Sequence, residues 1–481
     1  MGHVALQRGN IVYAIELYQE ALRAFYEAHD PINEADASRS LGDVQRLARQ
    51  FTEAETGYRH ALEVYRTYKE NFSTIDALTG LGRLYLEEEQ LEQATNIFAE
   101  AFNLTQALEY TLGQADATLG LAEVSLLQHD VSQAVTAATA AFQLYTDEHN
   151  APGMAHASRI LGEIHLQRGQ LSSATSMMEY AQRTYRATAF QIGVAETLAG
   201  LGEIQRRRGF LEQAVQALLE ARRLAHDFQN QRVENKALLS LGDIYHQQGQ
   251  FGRAKSAYND AKVCAEGLSV LDEAHGDMYP GARGVAEAEV RLARLAIIAG
   301  DMKEAEEHLA AASNTMSKSR RAEQVAAFAS IVRGQLLLTE GDFVQAEAYF
   351  RAAYDEAQAQ QDPLLVAEAT LGIGQAATGR EEVERAYELF LEAGQMFQTI
   401  ENADGDGKAL LGIAQIYLVQ ESWHETIATS QAAITRFHQC GDAIGQADAL
   451  LTLGLAYRGE EDFEQALFNF EKALQLYEQQ P

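Results

Sequence analysis

The chain has 481 residues, with 69 Asp and Glu against 38 Lys and Arg, and a formal net charge of −31. That excess repels nucleic acid and anionic membrane and favours basic or cationic partners. Only Cys264 and Cys440 are present, far apart, which argues against a disulfide framework and predicts a reducing, cytoplasmic setting, and no apolar run reaches the ~18 residues of a membrane span.

At the start, Met1-Gly2, Gly9, Ile11, Ala14 and Tyr18 fall in the register of a unit that recurs down the chain. Half of the first helix of that unit is missing, so an upstream part is expected to precede it. The clearest copy is Leu241-Gly242-Asp243-Ile244-Tyr245, followed by Gly249, Phe251, Ala254, Tyr258 and Ala261. Small residues set between large ones predict two antiparallel helices with closely approaching backbones and a turn at Gly249-Gln250. The first alanine of the second helix recurs at Ala14, Ala54, Ala94, Ala134, Ala174, Ala214 and Ala254, a step of 40 each time. It continues at Ala305, Ala346, Ala386, Thr426 and Ala466, with steps of 51, 41, 40, 40 and 40, so the chain holds twelve repeats.

Joints between repeats read as turns at Asp30-Pro31, Asn71-Phe72-Ser73, Asn150-Ala151-Pro152 and Asn230-Gln231. Within repeats, Gly169, Gly209 and Gly249 suit left-handed helix caps, while Glu89 and His129 occupy the same place elsewhere. The step of 51 reflects an insertion, GLSVLDEAHGDMYPGARG, which with its glycines and Pro280 is not continuous helix. It divides the chain into repeats over 1–266, an insertion or hinge over 267–284, and repeats over 285–481. Trp423, the only tryptophan, stands at the position of Phe251 and is read as an interhelical core residue.

The order Leu-Gly…Tyr on one helix and Ala…aromatic…Ala on the next resembles the tetratricopeptide repeat (TPR). At about 40 residues the unit is longer than the usual ~34 and lacks the helix-ending proline. In this it is similar to the repeats of Pins-type adaptors, rapsyn-like scaffolds and the TPR arms of STAND-class proteins. The resemblance implies an all-α, right-handed α-solenoid superhelix of about twelve helical hairpins, with about twenty-four helices and no sheet. It also implies that the first helix of each repeat lines a concave groove.

Catalysis finds no foothold in the sequence. There is no HExxH or close Cys/His cluster, no P-loop, and no nucleophile set beside a base, so no enzyme, cofactor or metal is expected. Asp272, Glu273, His275 and Asp277 in the insertion read as a solvated acidic loop. Two residues after the leucine of Leu-Gly, at the position the resemblance turns into the groove, stand Asp43, Arg83, Glu123, Glu163, Glu203 and Asp243, then Arg294, Gln335, Gln375, Gln415 and Leu455. Asp36, Asp76, Asp116, His156 and Glu196, five residues before that leucine, deepen an acidic stripe in the first seven repeats. Asp43 with Arg46, and Glu203 with Arg206 or Arg207, are spaced to form surface ion pairs of a few tenths of a kcal/mol. Glu123 and Glu163 have no cation three or four residues on, and so read as available. Leu86, Leu126 and Leu166 are the apolar neighbours expected to add salt-resistant affinity, and Glu92 and Glu212 mark the outer face.

These readings predict a noncatalytic scaffold that binds an extended or helical, basic segment of a protein partner in its groove, with no nucleic acid and no membrane. Further contacts are expected through uncapped terminal repeats. The alternative is a sensor or autoinhibitory arm of a larger STAND-type protein.

Overall fold

The computed structural model describes residues 11–88, 90–128, 130–270, 281–319 and 322–478. The Leu-Gly equivalent Met1-Gly2, the turn residues Glu89 and His129, and the acidic loop residues Asp272 to Asp277 lie outside the described residues. Among the described residues there are 23 α-helices, one short 3-10 helix at Ala322–Val325, and no strand.

In chain order the helices are α1 (Ile11–Glu27), α2 (Pro31–Leu47), α3 (Phe51–Tyr68), α4 (Asn71–Glu87), α5 (Leu91–Ala107), α6 (Thr111–Leu127), α7 (Val131–Asp147) and α8 (Ala151–Gln167). Next come α9 (Leu171–Ala187), α10 (Gln191–Arg207), α11 (Leu211–Asp227), α12 (Gln231–Gln247), α13 (Phe251–Val270), α14 (Ala282–Ile298) and α15 (Met302–Met316). The series ends with α16 (Ala326–Glu340), α17 (Phe343–Ala359), α18 (Pro363–Gly379), α19 (Val383–Thr399), α20 (Ala403–Val419), α21 (Trp423–Cys440), α22 (Ala443–Gly459) and α23 (Phe463–Glu478). Even-numbered helices are the first of each repeat and odd-numbered ones the second. The chain packs into two compact units, Met1–Ile164 with Ser176–Thr197, and His165–Thr175 with Leu198–Pro481.

The periodic small residues decide the packing. Ala54, Ala94, Ala134, Ala214, Ala254, Ala305, Ala346 and Ala386 are all fully buried, as is Thr426. In several repeats the aromatic four residues further on is gripped by glycines from two successive repeats. In the first unit a Cβ at Gly82 would lie 2.7 Å from the Phe98 ring and one at Gly120 2.3 Å from it. In the second unit Gly334 and Gly372 approach Phe350 to the same 2.7 and 2.3 Å. Glycine inside a helix costs roughly 0.5–1 kcal/mol relative to alanine; here it admits a whole ring between backbones, which buries far more apolar surface than a methyl group. Trp423 packs as expected between α21 and α22, 2.6 Å from where a Cβ on Gly459 would stand.

The turns follow helix-end chemistry. Gly169, Gly209 and Gly249 have φ of 71°, 82° and 72°, the left-handed caps expected of them. Asp30, Asn150 and Asn230 accept hydrogen bonds from backbone amides in the first turn of the helix that follows. Asn71-Phe72-Ser73 and Ala151-Pro152 depart from the turn reading: they form the first turns of α4 and α8, and the reversals fall at Lys69 and His149, with φ 59° and 53°.

Candidate functional site

In the first unit, the predicted groove positions lie on α2, α4, α6, α8 and the first part of α10, and most of them are engaged within the fold. Tyr65, on the second helix of its repeat, donates to Asp36 Oδ1 at 2.5 Å, and Tyr145 donates to Asp116 Oδ1 at 2.6 Å. Tyr185 meets His156 Nδ1 at 2.9 Å in the same register, 29 residues apart. A second spacing, 15 residues, joins Tyr58 to Asp43 Oδ1 at 2.6 Å. Each couple ties the two helices of one repeat together and satisfies a buried phenol.

The remaining acids meet arginines, with Asp76 the exception. Arg39 lies 3.5 Å from Asp43, and Arg83 3.6 Å from Asp116. Arg46 pairs with Glu87 on the next repeat, which corrects the expected Asp43–Arg46 pair. A larger correction concerns Glu123 and Glu163. Arg159 on α8 points its guanidinium among three carboxylates, Glu123 at 3.7 Å, Glu163 at 3.3 Å and Glu196 at 3.1 Å, so neither Glu123 nor Glu163 stands unpaired. Its position four residues before Glu163 is the helical spacing for an ion pair. Burial works against the charge of Arg159, and the three carboxylates more than restore it. Burial raises the Glu123 carboxyl, with Arg159 the main opposing influence. Leu86 and Leu166 are buried in the fold, and Leu126 is half-buried against the core.

The second unit treats the equivalent positions differently. Glu203 receives Arg206 through Nε and Nη2, both at 2.8 Å, and Arg207 Nε at 2.8 Å, as its sequence spacing foretold. Burial opposes ionisation of Glu203, yet the two arginines hold its carboxyl well below the usual range. Asp243 accepts from Tyr258 at 2.8 Å, the 15-residue couple again, and from Arg291 Nε at 2.9 Å. Arg294 meets Glu368 at 3.1 Å and Lys408 meets Asp404 at 2.7 Å. Burial, then Asp404, pushes the Asp442 carboxyl up to about 7, while burial, then Arg294 and Lys408, pushes His246 down to about 4. Turns distant in sequence also meet: Gln247 Nε2 donates to the Cys440 carbonyl at 3.0 Å, and a Cβ on Gly209 would lie 2.1 Å from the Gln439 carbonyl oxygen.

The residues that sequence reasoning missed are Arg39 and Arg159 in the first unit, and Arg291, Glu368, Asp404 and Lys408 in the second. The Tyr–Asp couples carry a signal that was there to be found: a tyrosine 15 or 29 residues after each acid.

Two family models match the chain. A tetratricopeptide-repeat model covers residues 33–107 and 405–479, and a MalT-like TPR region model covers 128–366. The chain is a tetratricopeptide-repeat array. Of the solved structures similar to this TPR array, a Rap protein complexed with Competence and Sporulation Factor has 14% identity and a TM-score of 0.55, over 77% of this chain and 99% of that one. The apo form of RapI has 14% identity and a TM-score of 0.43, over 55% of this chain and 95% of that one. No curated protein sequence matches the array. Among its described residues no group of His, Cys, Asp and Glu is placed to hold a metal ion, and no helix is long and apolar enough to cross a membrane.

Proposed function

We propose that this TPR array is a noncatalytic scaffold whose first unit receives a basic polypeptide segment, extended or helical, along the face formed by the first helices of its repeats. One observation carries the reading. Asp36, Asp43, Asp76, Glu87, Asp116, Glu123, Glu163 and Glu196 are accompanied by Arg39, Arg46, Arg83 and Arg159, two carboxylates for every guanidinium. Internal pairing thus fixes the geometry of this face without neutralising it. A lysine or arginine of a partner joins carboxylates that already share a cation, so each contact is modest and the field of the face supplies the association rate.

The test neutralises two carboxylates while leaving one to hold Arg159. The variant Glu123→Gln with Glu196→Gln should bind fluorescein-labelled octalysine roughly threefold more weakly at low salt, chiefly through a slower on-rate, with the difference shrinking as salt rises. Glu53→Gln with Glu92→Gln, on the exposed outer side of α3 and α5, should change binding little. If the outer pair weakens binding as much as the inner pair, the inner-face reading is wrong.

A further inference from the structure

The 29-residue couple is broken among the first repeats at Asp76, between two repeats that keep it. Asp36, Asp116 and His156 each meet a tyrosine of their own repeat, and so does Asp448, through Tyr477. For Asp76 the residue 29 further on is Thr105, whose hydroxyl turns back to the Phe102 carbonyl at 2.7 Å. Among the described residues Asp76 makes no hydrogen bond or ion pair, and its side chain is exposed. Burial, and then the neighbouring acids, raise the Asp76 carboxyl; Arg39 is the cation that opposes them, and it already has Asp43 at 3.5 Å.

The space in front of Asp76 is shaped by aromatic rings. Tyr110 lays its ring over Gly113, where a Cβ would lie 2.5 Å from the ring and 2.9 Å from the Thr105 methyl group, as Phe190 lies over Gly193. Tyr110 occupies the N-cap position of α6 and makes no cap hydrogen bond, unlike Asp30, Asn150 and Asn230 at the same place in other repeats. The Tyr110 ring meets Phe72 edge to face, with centroids 5.1 Å apart. Phe72 stands one helical turn before Asp76, on the same face of α4, and is 58% exposed, so it adds little to the core. After burial, Asp76 and Asp116 are the chief influences that raise the Tyr110 hydroxyl, which sets both carboxylates near that ring.

We propose that Phe72, Asp76 and Tyr110 form a notch for the side-chain cation of a lysine or arginine borne by a bound polypeptide. The carboxylate accepts from the ammonium or guanidinium N–H, the rings hold the cation by their negative faces, and the alkyl stem lies along Phe72. This deepens the basic-segment reading above and rests on it, because it assigns one side chain of that segment a place. Carboxylate and ring answer differently to salt, and the test uses that difference.

The 481-residue protein would be titrated with fluorescein-labelled octalysine and octaarginine at low and high salt, read by anisotropy, with spermidine and tetramethylammonium as free competitors. Asp76→Asn should weaken binding about threefold at low salt and flatten the salt dependence. Phe72→Ala should weaken it by a similar factor at both salt concentrations, with an unchanged melting temperature. Free amines should compete only in the millimolar range; displacement by micromolar spermidine would overturn the polypeptide source in favour of a small-amine site. If Asp76→Asn and Phe72→Ala both bind the octapeptides as the wild type does, while Glu123→Gln with Glu196→Gln weakens them, the notch is refuted and the inner face stands. If none of the three alters binding, both readings fall.

Discussion

The two units place ionisable residues at the same repeat positions and use them to opposite effect. In the first, three carboxylates from α6, α8 and α10 lean on one guanidinium, Arg159, and the acids keep a two-to-one excess. In the second, one carboxylate, Glu203, receives two guanidinia, Asp243 has Arg291, Glu368 has Arg294 and Asp404 has Lys408. Side chains of its turns also reach one another, as Gln247 reaches the Cys440 carbonyl. A repeat scaffold therefore fixes where side chains stand and leaves the sign of the field to individual residues. Acidic charge in the first unit exceeds its internal cations, and the named acids of the second each have a cation within the unit.

The sharpest break of this contrast is the loss of the shared arginine. Arg159→Met should destabilise by about 3 kcal/mol at pH 7, because three neighbouring carboxylates lose their counter-ion in a partly dry setting. The deprived carboxyls then titrate above their ordinary range, so the deficit should shrink as the pH falls through about 5 and they take up protons. Arg291→Met in the second unit should cost clearly less, since Asp243 keeps Tyr258 as a donor. Urea unfolding at pH 7 and 4.5 reads both, and equal costs for the two variants would erase the distinction between acids that depend on one cation and acids, such as Asp243 with Tyr258 and Glu287 with Arg283, that keep a second donor.

A smaller effect should be the same in both units, because it tests the scaffold they have in common. Gly120→Val and Gly372→Val each drive a branched side chain into a ring already 2.3 Å from the position of the new Cβ. Each should destabilise by ~1–3 kcal/mol, through overpacking. Denaturant midpoints that move for one and not the other would mean that the ring-and-glycine contact is not a general joint.

The smallest expected effect concerns His156, which burial, then Arg83 and Arg159, push down to about 3. In the unfolded chain the same imidazole titrates near ~6.5. The unfolded state therefore binds the proton first, and stability contributed by the neutral ring is complete above about 6.5 and drains away as the pH falls towards about 3. His156→Gln keeps a polar partner for Tyr185 and removes the titration, so its melting temperature should vary less with pH over that window. A profile parallel to the wild type would place the acid sensitivity elsewhere.

The fold was legible because the alanine spacing and the Leu-Gly pairs report backbone approach directly, and close approach leaves few choices of residue. Pairing among the first helices of the repeats was only partly legible. Glu203 with Arg206 and Arg207 lies within one helical turn, and the sequence displays it. Arg159 is not displayed by the residues after Glu163, because it stands in the preceding turn, which a helix brings equally close. Arg291 reaches Asp243 across 48 residues and Arg294 reaches Glu368 across 74, separations that no single-helix spacing encodes. The vacancy at Asp76 lay in between: it becomes visible once the Tyr–Asp couples are known, because Thr105 interrupts a pattern that its neighbours keep.

The ring held between glycines of two successive repeats has an evolutionary consequence. Phe98 takes one glycine from its own repeat and one from the next, and Phe350 does the same far along the chain. Where successive repeats carry this joint, a duplicated forty-residue segment arrives with half of each new joint in place and finds the other half waiting. Such an array can lengthen or shorten by whole units through recombination, with selection then free to recolour the exposed face of each copy.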